Sequence, residues 1–231
     1  MINKVLLTGR LISPVETVVL KSDLKKMVEF LVEVGAPFKN ADGEQAFDTI
    51  RVIAFNGIVT NKWINSAKQG DIIEVEGHFS GKITTKNNES YVNMNIIADK
   101  VFVDLVDKNP IKANGLTGIA NFFVFGELKE DLLIKTTTKG TQYAIATMDI
   151  PKFSADDTLS YDTIEISLWG KTFEDAKDLV RGHHLTVAGR VSDRVSEANG
   201  NTYHHVMAKA DSISYFNPMT TRVLDSQLGR E

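Results

Sequence analysis

Asp48-Thr49-Ile50-Arg51-Val52-Ile53-Ala54-Phe55 and Asp162-Thr163-Ile164-Glu165-Ile166-Ser167-Leu168-Trp169 are two versions of one eight-residue strand, 114 positions apart in a chain of 231 residues. Each opens on Asp-Thr-Ile, alternates apolar and polar residues, and closes on an aromatic ring. Downstream, Gly77, Tyr91 and Ala98-Asp99 recur as Gly189, Tyr203 and Ala210-Asp211, always 112 positions later. A period this long exceeds any solenoid repeat and marks two copies of a whole small domain. One connection in the second copy is two residues shorter.

Within each copy the order of elements follows from periodicity. In the first, Lys4 to Leu11 reads as an apolar strand. Val28, Phe30, Val32 and Val34 alternate with Glu29, Leu31 and Glu33 as a half-buried strand does. Asp48 to Phe55 is the third strand. Val59, Trp63 and Ala67 recur at helical spacing before Gly70, whose freedom at positive φ suits a helix stop; Trp63 is therefore expected in the core. Ile73 to Phe79 and Tyr91 to Val103 complete the set, joined by a polar loop from Lys82 to Glu89. The second copy repeats this with Phe122 to Leu128, Tyr143 to Met148, Asp162 to Trp169, a helix N-capped by Thr172 and stopped near Gly182, Leu185 to Val191, and Tyr203 to Ile213. Three strands, a helix and two strands is the order of the OB-fold, whose open face binds oligonucleotides or oligosaccharides. The expected fold is all-β with one short helix per domain: two tandem OB-fold five-stranded barrels. The expected division is a first domain at 1–108, a linker at 109–116, a second domain at 117–216 and a short polar tail at 217–231.

Composition bounds the chemistry. The chain has no cysteine, which removes disulfides and thiolate metal sites. The apolar run at Ile2 to Leu7 is too short for a signal-peptide core or a bilayer span, so the expected compartment is the cytoplasm, with no membrane partner. Net charge is −4. Residues 1–112 are neutral, with 14 basic against 14 acidic residues, and residues 113–231 are acidic, with 12 against 16. A groove that tracks a polynucleotide needs only a local basic stripe, so whole-chain charge does not exclude one.

Strand parity separates core from candidate contacts. Ile50, Val52 and Ala54 form one face of the first third strand, leaving Phe47, Thr49, Arg51, Ile53 and Phe55 outward. In the second, Ile164, Ile166 and Leu168 are core, leaving Tyr161, Thr163, Glu165, Ser167 and Trp169 outward. Aromatic rings with a cation between them suit base stacking with phosphate pairing, and each stacked base is worth roughly 1–3 kcal/mol without sequence preference. Such rings also pack under loops or at dimer contacts, so the two readings stand side by side. Tyr91 and Tyr203 open the fifth strands on the outward parity. Arg10, Lys82 and Lys86 are candidate phosphate partners in the first repeat, and Arg190 and Arg194 in the second. All of these charges could equally solvate a hairpin.

His183-His184 and His204-His205 raise a metal site. If Val191 faces Tyr203 in the last hairpin, His205 faces Gly189, away from His184, and adjacent histidines point to opposite faces. No metal and no cofactor is expected. No nucleophile–base pair, paired-carboxylate motif or Gly-rich phosphate loop stands out, so no enzyme is expected.

The ordered set of strands resembles that of bacterial-type single-stranded-DNA-binding proteins. The resemblance rests on Asn3 to Leu11, on Leu168-Trp169-Gly170-Lys171 through Leu179-Val180-Arg181-Gly182 to Val187-Ala188-Gly189-Arg190, and on Ile97-Ala98-Asp99-Lys100-Val101. It covers about residues 2–216. It implies single-stranded DNA as partner, with RNA as an alternative, and sequence-independent binding in replication, recombination or repair. Phe55 and Trp169 fall where the family keeps a stacking aromatic; Phe38 aligns with another, and Phe153 lies near the equivalent place. The family's aromatic in the last hairpin is replaced by Thr84 and Ser196. Tandem-domain members of the family pair as homodimers, which implies the same here. The family's usual acidic tip ending Pro-Phe is absent, since the sequence closes Asp225-Ser226-Gln227-Leu228-Gly229-Arg230-Glu231; this implies a diverged member whose replication or recombination partners are not recruited by the usual tail. The alternative is an OB-fold module that binds protein. Because the first repeat is neutral and carries Phe38, Phe47, Phe55 and Arg51, it is expected to bind more strongly than the second.

Overall fold

In the computed structural model, residues 2–19, 26–40, 42–55, 58, 66–86, 89–104, 118–153, 158–198 and 200–216 are described. The first repeat contributes β1 (Asn3–Leu11), β2 (Glu16–Val19), β3 (Lys26–Lys39), β4 (Gln45–Phe55), β5 (Ile72–Lys86) and β6 (Glu89–Asp104). The second contributes β7 (Ile119–Leu128), β8 (Leu133–Thr136), β9 (Gln142–Phe153), β10 (Leu159–Trp169), α1 (Lys171–Ala176), β11 (His184–Ala198) and β12 (Asn201–Phe216).

Each repeat coils into a barrel because its first strand is paired twice. β1 pairs antiparallel with β5 and, at its far end, with β3 through Arg10↔Glu33 and Leu11↔Val32. β7 does the same with β11 and with β9, through Glu127↔Asp149 and Leu128↔Met148. Parallel contacts close the other side, Val52↔Ile96 and Ile53↔Ile97 in the first repeat, Ile166↔Ala208 and Ser167↔Lys209 in the second. The chain is thus two tandem OB-folds, all-β apart from a little helix.

Alternation fills the barrels. Leu7, Phe30, Ile50, Ile73, Phe79 and Ile96 are fully enclosed in the first, and Leu128, Met148, Ile150, Ile164 and Ile166 in the second. Each such side chain contributes about 1.5–3 kcal/mol when removed from water.

The barrels are not beads on a string. β1 and β7 pair antiparallel, joining both into one twelve-stranded sheet. At the centre, Val5 pairs with Phe122, and these two hold the same place in their repeats, since Val5 faces Gly77 and Phe122 faces Gly189. The repeats are therefore related by a pseudo-twofold axis through this pair. The Phe79 and Phe122 rings meet edge-on at 5.4 Å across it, and one apolar core runs through both barrels.

Several expectations are corrected. The short strands β2 and β8 were not legible, and the stretch from Lys82 is not a loop: Lys82 to Lys86 continue β5, and the two longest hairpins reach 15 and 16 residues per arm. The hairpin register is Ser196↔Tyr203 and Arg194↔His205, with Val191 opposite Ala208, because Ala198 pairs with Asn201 and the ladder runs unbroken from there to Gly189. His205 therefore does not face Gly189. Thr172 does not cap α1. Gly170 does, at φ 52°, and Thr172 lies inside the helix, its hydroxyl accepting from Trp169 N at 3.0 Å and donating to Trp169 O at 2.9 Å. α1 ends at Ala176, well short of Gly182. Ile53 is not outward but only 7% exposed, and Thr163 and Ser167 are buried too. The expected helix after Gly57 lies largely outside the described residues, as do Trp63, the linker 109–116 and the tail 217–231; Ile58 and Ala67 pack against the core.

Candidate nucleic-acid interface

The buried middle of each third strand has one cause. The long hairpin of each repeat lies across the third strand of the other, β5–β6 over β10 and β11–β12 over β4. Approach is so close that a Cβ at Gly81 would overlap the carbonyl oxygen of Thr163. Glu165 N donates to the Met94 sulfur at 3.2 Å. What remains open is the two ends of each third strand, where the aromatic residues stand.

The first end carries Phe47 and Tyr161, which occupy equivalent places, opposite Gly35 and Pro151. Both rings are exposed, and Phe38 and Phe153, near the ends of β3 and β9, are more so at 61% and 62%. The second end carries Phe55 and Trp169, both half-buried. Trp169 lies flat on Tyr143, with centroids 4.1 Å apart and planes 3° from parallel, and Lys209 Nζ stands 6.0 Å from its ring centre. Tyr91 and Tyr203 are exposed on β6 and β12, opposite Thr84 and Ser196.

The candidate cations divide. Lys82 and Arg194 are exposed on the hairpin arms, Arg10 is half-buried on β1, and Lys86 closes the backbone ladder opposite Glu89. Arg51 is held by a two-pronged ion pair with Glu29, both contacts at 2.6 Å, and donates to Asn95 Oδ1 at 3.0 Å. Arg190 is not offered to solvent as expected. Its Nη2 donates to Gly35 O at 2.7 Å and to Asp48 Oδ2 at 3.0 Å, so it ties the second repeat to the first. Asp162, the counterpart of Asp48, accepts from Lys152 at 2.7 Å and reaches across to Ser80 Oγ at 3.0 Å and Gly81 N at 3.3 Å.

Two groups at the junction titrate away from their ordinary values. Burial raises the Glu165 carboxyl, partly offset by Lys135 and Arg194, while Glu130 adds to the rise. Burial lowers His205, and the positive field of Arg194, then His204 and Arg51, lowers it further. Arg51 and Arg194 come from different repeats, so the hairpin crossing gathers basic groups that no single repeat supplies. Among the described residues, no group of three or more His, Asp or Glu is disposed to hold a metal ion.

Tyr143, Lys209 and the cross-repeat role of the two aspartates were not singled out from sequence. The aspartates were visible only as repeat markers. Tyr143 needed the β9–β10 register, and Lys209 the parallel β10–β12 contact. A flat shelf of Phe125, His184 and Phe216, with centroids 5.1–6.1 Å apart, was also missed.

The geometry meets an independent finding here. A model of the single-strand binding protein family matches residues 2–104 and, a second time, residues 119–215. The chain belongs to that family. Among solved structures, the wild-type single-stranded DNA binding protein from Thermus aquaticus is similar over 93% of each chain, at 16% identity and a TM-score of 0.68. A deletion mutant of the same Thermus aquaticus protein gives 17% identity and 0.67 over 92% of this chain and 93% of that one. A Plasmodium falciparum SSB in complex with ssDNA gives 16% identity and 0.35 over 42% of this chain and 91% of that one. The two Thermus aquaticus likenesses concern the fold. No curated protein matches the chain.

Proposed function

We propose that this single-strand binding protein family member binds single-stranded DNA without sequence preference, as a non-catalytic factor in replication, recombination or repair. One observation carries the reading. Each third strand is bracketed by aromatic rings, Phe47 and Phe55 or Tyr161 and Trp169, while its middle is sealed by the opposite hairpin, so the rings at its two ends are the part of the strand a base can reach. Bases stack on Phe38, Phe47, Phe55, Phe153, Tyr161 and Trp169, with Tyr91 and Tyr203 flanking. Lys82, Lys86, Arg10 and Arg194 take phosphates, whereas Arg51 and Arg190 chiefly hold the fold. RNA is the competitor to test against, and the cytoplasm is the compartment we assign. No helix among the described residues is long and apolar enough to cross a membrane.

The chain also acts as a homodimer in this reading. By register, Leu6, Phe102, Ile119 and Phe123 lie on one outer face of the central sheet, and all four are exposed. Leu6 and Phe123 are exchanged by the pseudo-twofold axis and stand exposed on either side of it, an arrangement that suits self-complementary pairing with a second copy.

The test is a titration with oligothymidine and a matched duplex, followed by intrinsic fluorescence at two salt concentrations. Tight, salt-sensitive quenching by the single strand alone is the expected result, because neutralised phosphates release counterions. Equal binding to the duplex, or none to either, overturns the reading.

A further inference from the structure

We infer that Tyr143, Trp169 and Lys209 form one composite base-and-phosphate site that the first repeat lacks, and that this makes the second repeat the stronger binder. The inference rests on the reading of the chain as a single-strand binder.

Strand order sets the arrangement. β10 lies between β9 and β12, Tyr143 pairs directly with Trp169 on the β9 side, and Lys209 sits beside Ser167 on the β12 side. The indole is thus flanked by a phenol ring on one side and an ammonium on the other. The nearly parallel stack at 4.1 Å fixes the indole plane before any base arrives. A pre-fixed ring loses less rotamer freedom on binding than a mobile one. Lys209, exposed and 6.0 Å from the ring centre, is close enough to favour the ring electrostatically and loose enough to swing onto a phosphate.

The first repeat has the same scaffold without the chemistry. Met27 pairs with Phe55 as Tyr143 pairs with Trp169, and Ile97 lies beside Ile53 as Lys209 lies beside Ser167. A thioether, a phenyl ring and an alkyl chain stand where the second repeat has a phenol, an indole and an ammonium. Net charge, which favours the first repeat, is a whole-domain quantity; this site is local. Tyr143 is a positioning residue, Trp169 the stacking surface and Lys209 the phosphate partner.

The experiment titrates the full chain with oligothymidine, comparing wild type with Tyr143→Ala, Tyr143→Phe, Lys209→Gln, Trp169→Ala and Phe55→Ala. Lys209→Gln, on an exposed side chain, is expected to weaken binding by about threefold to tenfold and to flatten the log–log salt dependence by about 0.7. Tyr143→Ala is expected to weaken binding and to reduce the fraction of tryptophan emission quenched at saturation, and Tyr143→Phe to restore both. Trp169→Ala should cost more affinity than Phe55→Ala. If Trp169→Ala weakens binding while Lys209→Gln and Tyr143→Ala match wild type, the composite site is overturned and single-strand binding stands. A larger loss for Phe55→Ala overturns the ranking. If wild type itself ignores oligothymidine, the underlying reading fails and this inference with it.

Discussion

Arg190 Nη2 stands 3.0 Å from Asp48 Oδ2, linking residues 142 positions apart in sequence and on opposite repeats. Both side chains are largely withdrawn from water. On the other side of the pseudo-twofold axis, Asp162 reaches Ser80 and Gly81 in the first repeat. The aspartate that opens the repeated strand is therefore a clasp in both copies, with different partners.

Removing one member of a buried pair strands the other charge, which costs more than losing the pair together. Asp48→Ala is expected to lower stability by about 2–4 kcal/mol, and the double change Asp48→Leu with Arg190→Met to recover much of that loss. Denaturant unfolding of the single and double variants measures it. Additive losses would mean that the two residues do not act as a pair.

Gly81 has no room for a side chain against the Thr163 carbonyl. Gly81→Ala should lift the β5–β6 hairpin from β10 and destabilise the chain by about 1–3 kcal/mol. A melting temperature equal to wild type would show that the hairpins do not press on the third strands.

Lys82 is exposed on a hairpin arm, whereas Arg51 is tied to Glu29 and Asn95. Lys82→Gln should leave stability unchanged and reduce the salt dependence of oligonucleotide binding by about 0.7. Arg51→Ala should lower the melting temperature as well as affinity. The reverse assignment of the two effects would exchange their roles.

Glu165 is raised by burial, so the folded chain holds this proton more tightly than the unfolded one. Its ionisation penalty is absent below the unfolded value, grows as pH rises, and is complete above the folded one. Glu165→Gln should raise the melting temperature near neutral pH and leave it unchanged at the acid end. An equal gain at both ends would point to packing and not to charge.

Leu6 and Phe123 lie on the exposed outer face of the central sheet. Phe123→Glu should convert a dimer into a monomer in sedimentation equilibrium without loss of β signal in circular dichroism. A wild-type chain that sediments as a monomer removes the dimer proposal.

The barrels were legible because their strands alternate so cleanly: Ile50, Val52 and Ala54, or Ile164, Ile166 and Leu168, leave little choice of face. The way the barrels meet was not legible. Alternation assigns two faces to a strand but cannot say that Ile53, Thr163 and Ser167 are covered by another domain's hairpin. Hairpin length was misjudged at Lys82 to Lys86 because a two-stranded arm needs no apolar face to keep its ladder. Arg190 read as a surface charge because its partner Asp48 lies 142 positions away. Among the site residues, those at strand ends were visible from parity, while Tyr143 and Lys209 needed the pairing across strands.

The meeting of Val5 with Phe122 has a directional consequence. Antiparallel neighbours in a sheet are related by an axis normal to it, so any path drawn along one barrel's face is reversed in the plane of the sheet on the other. A polynucleotide has a 5′ and a 3′ end. If it docks alike on both barrels, it cannot run straight from one to the next; it must double back between them, and the turn takes up nucleotides that touch neither platform.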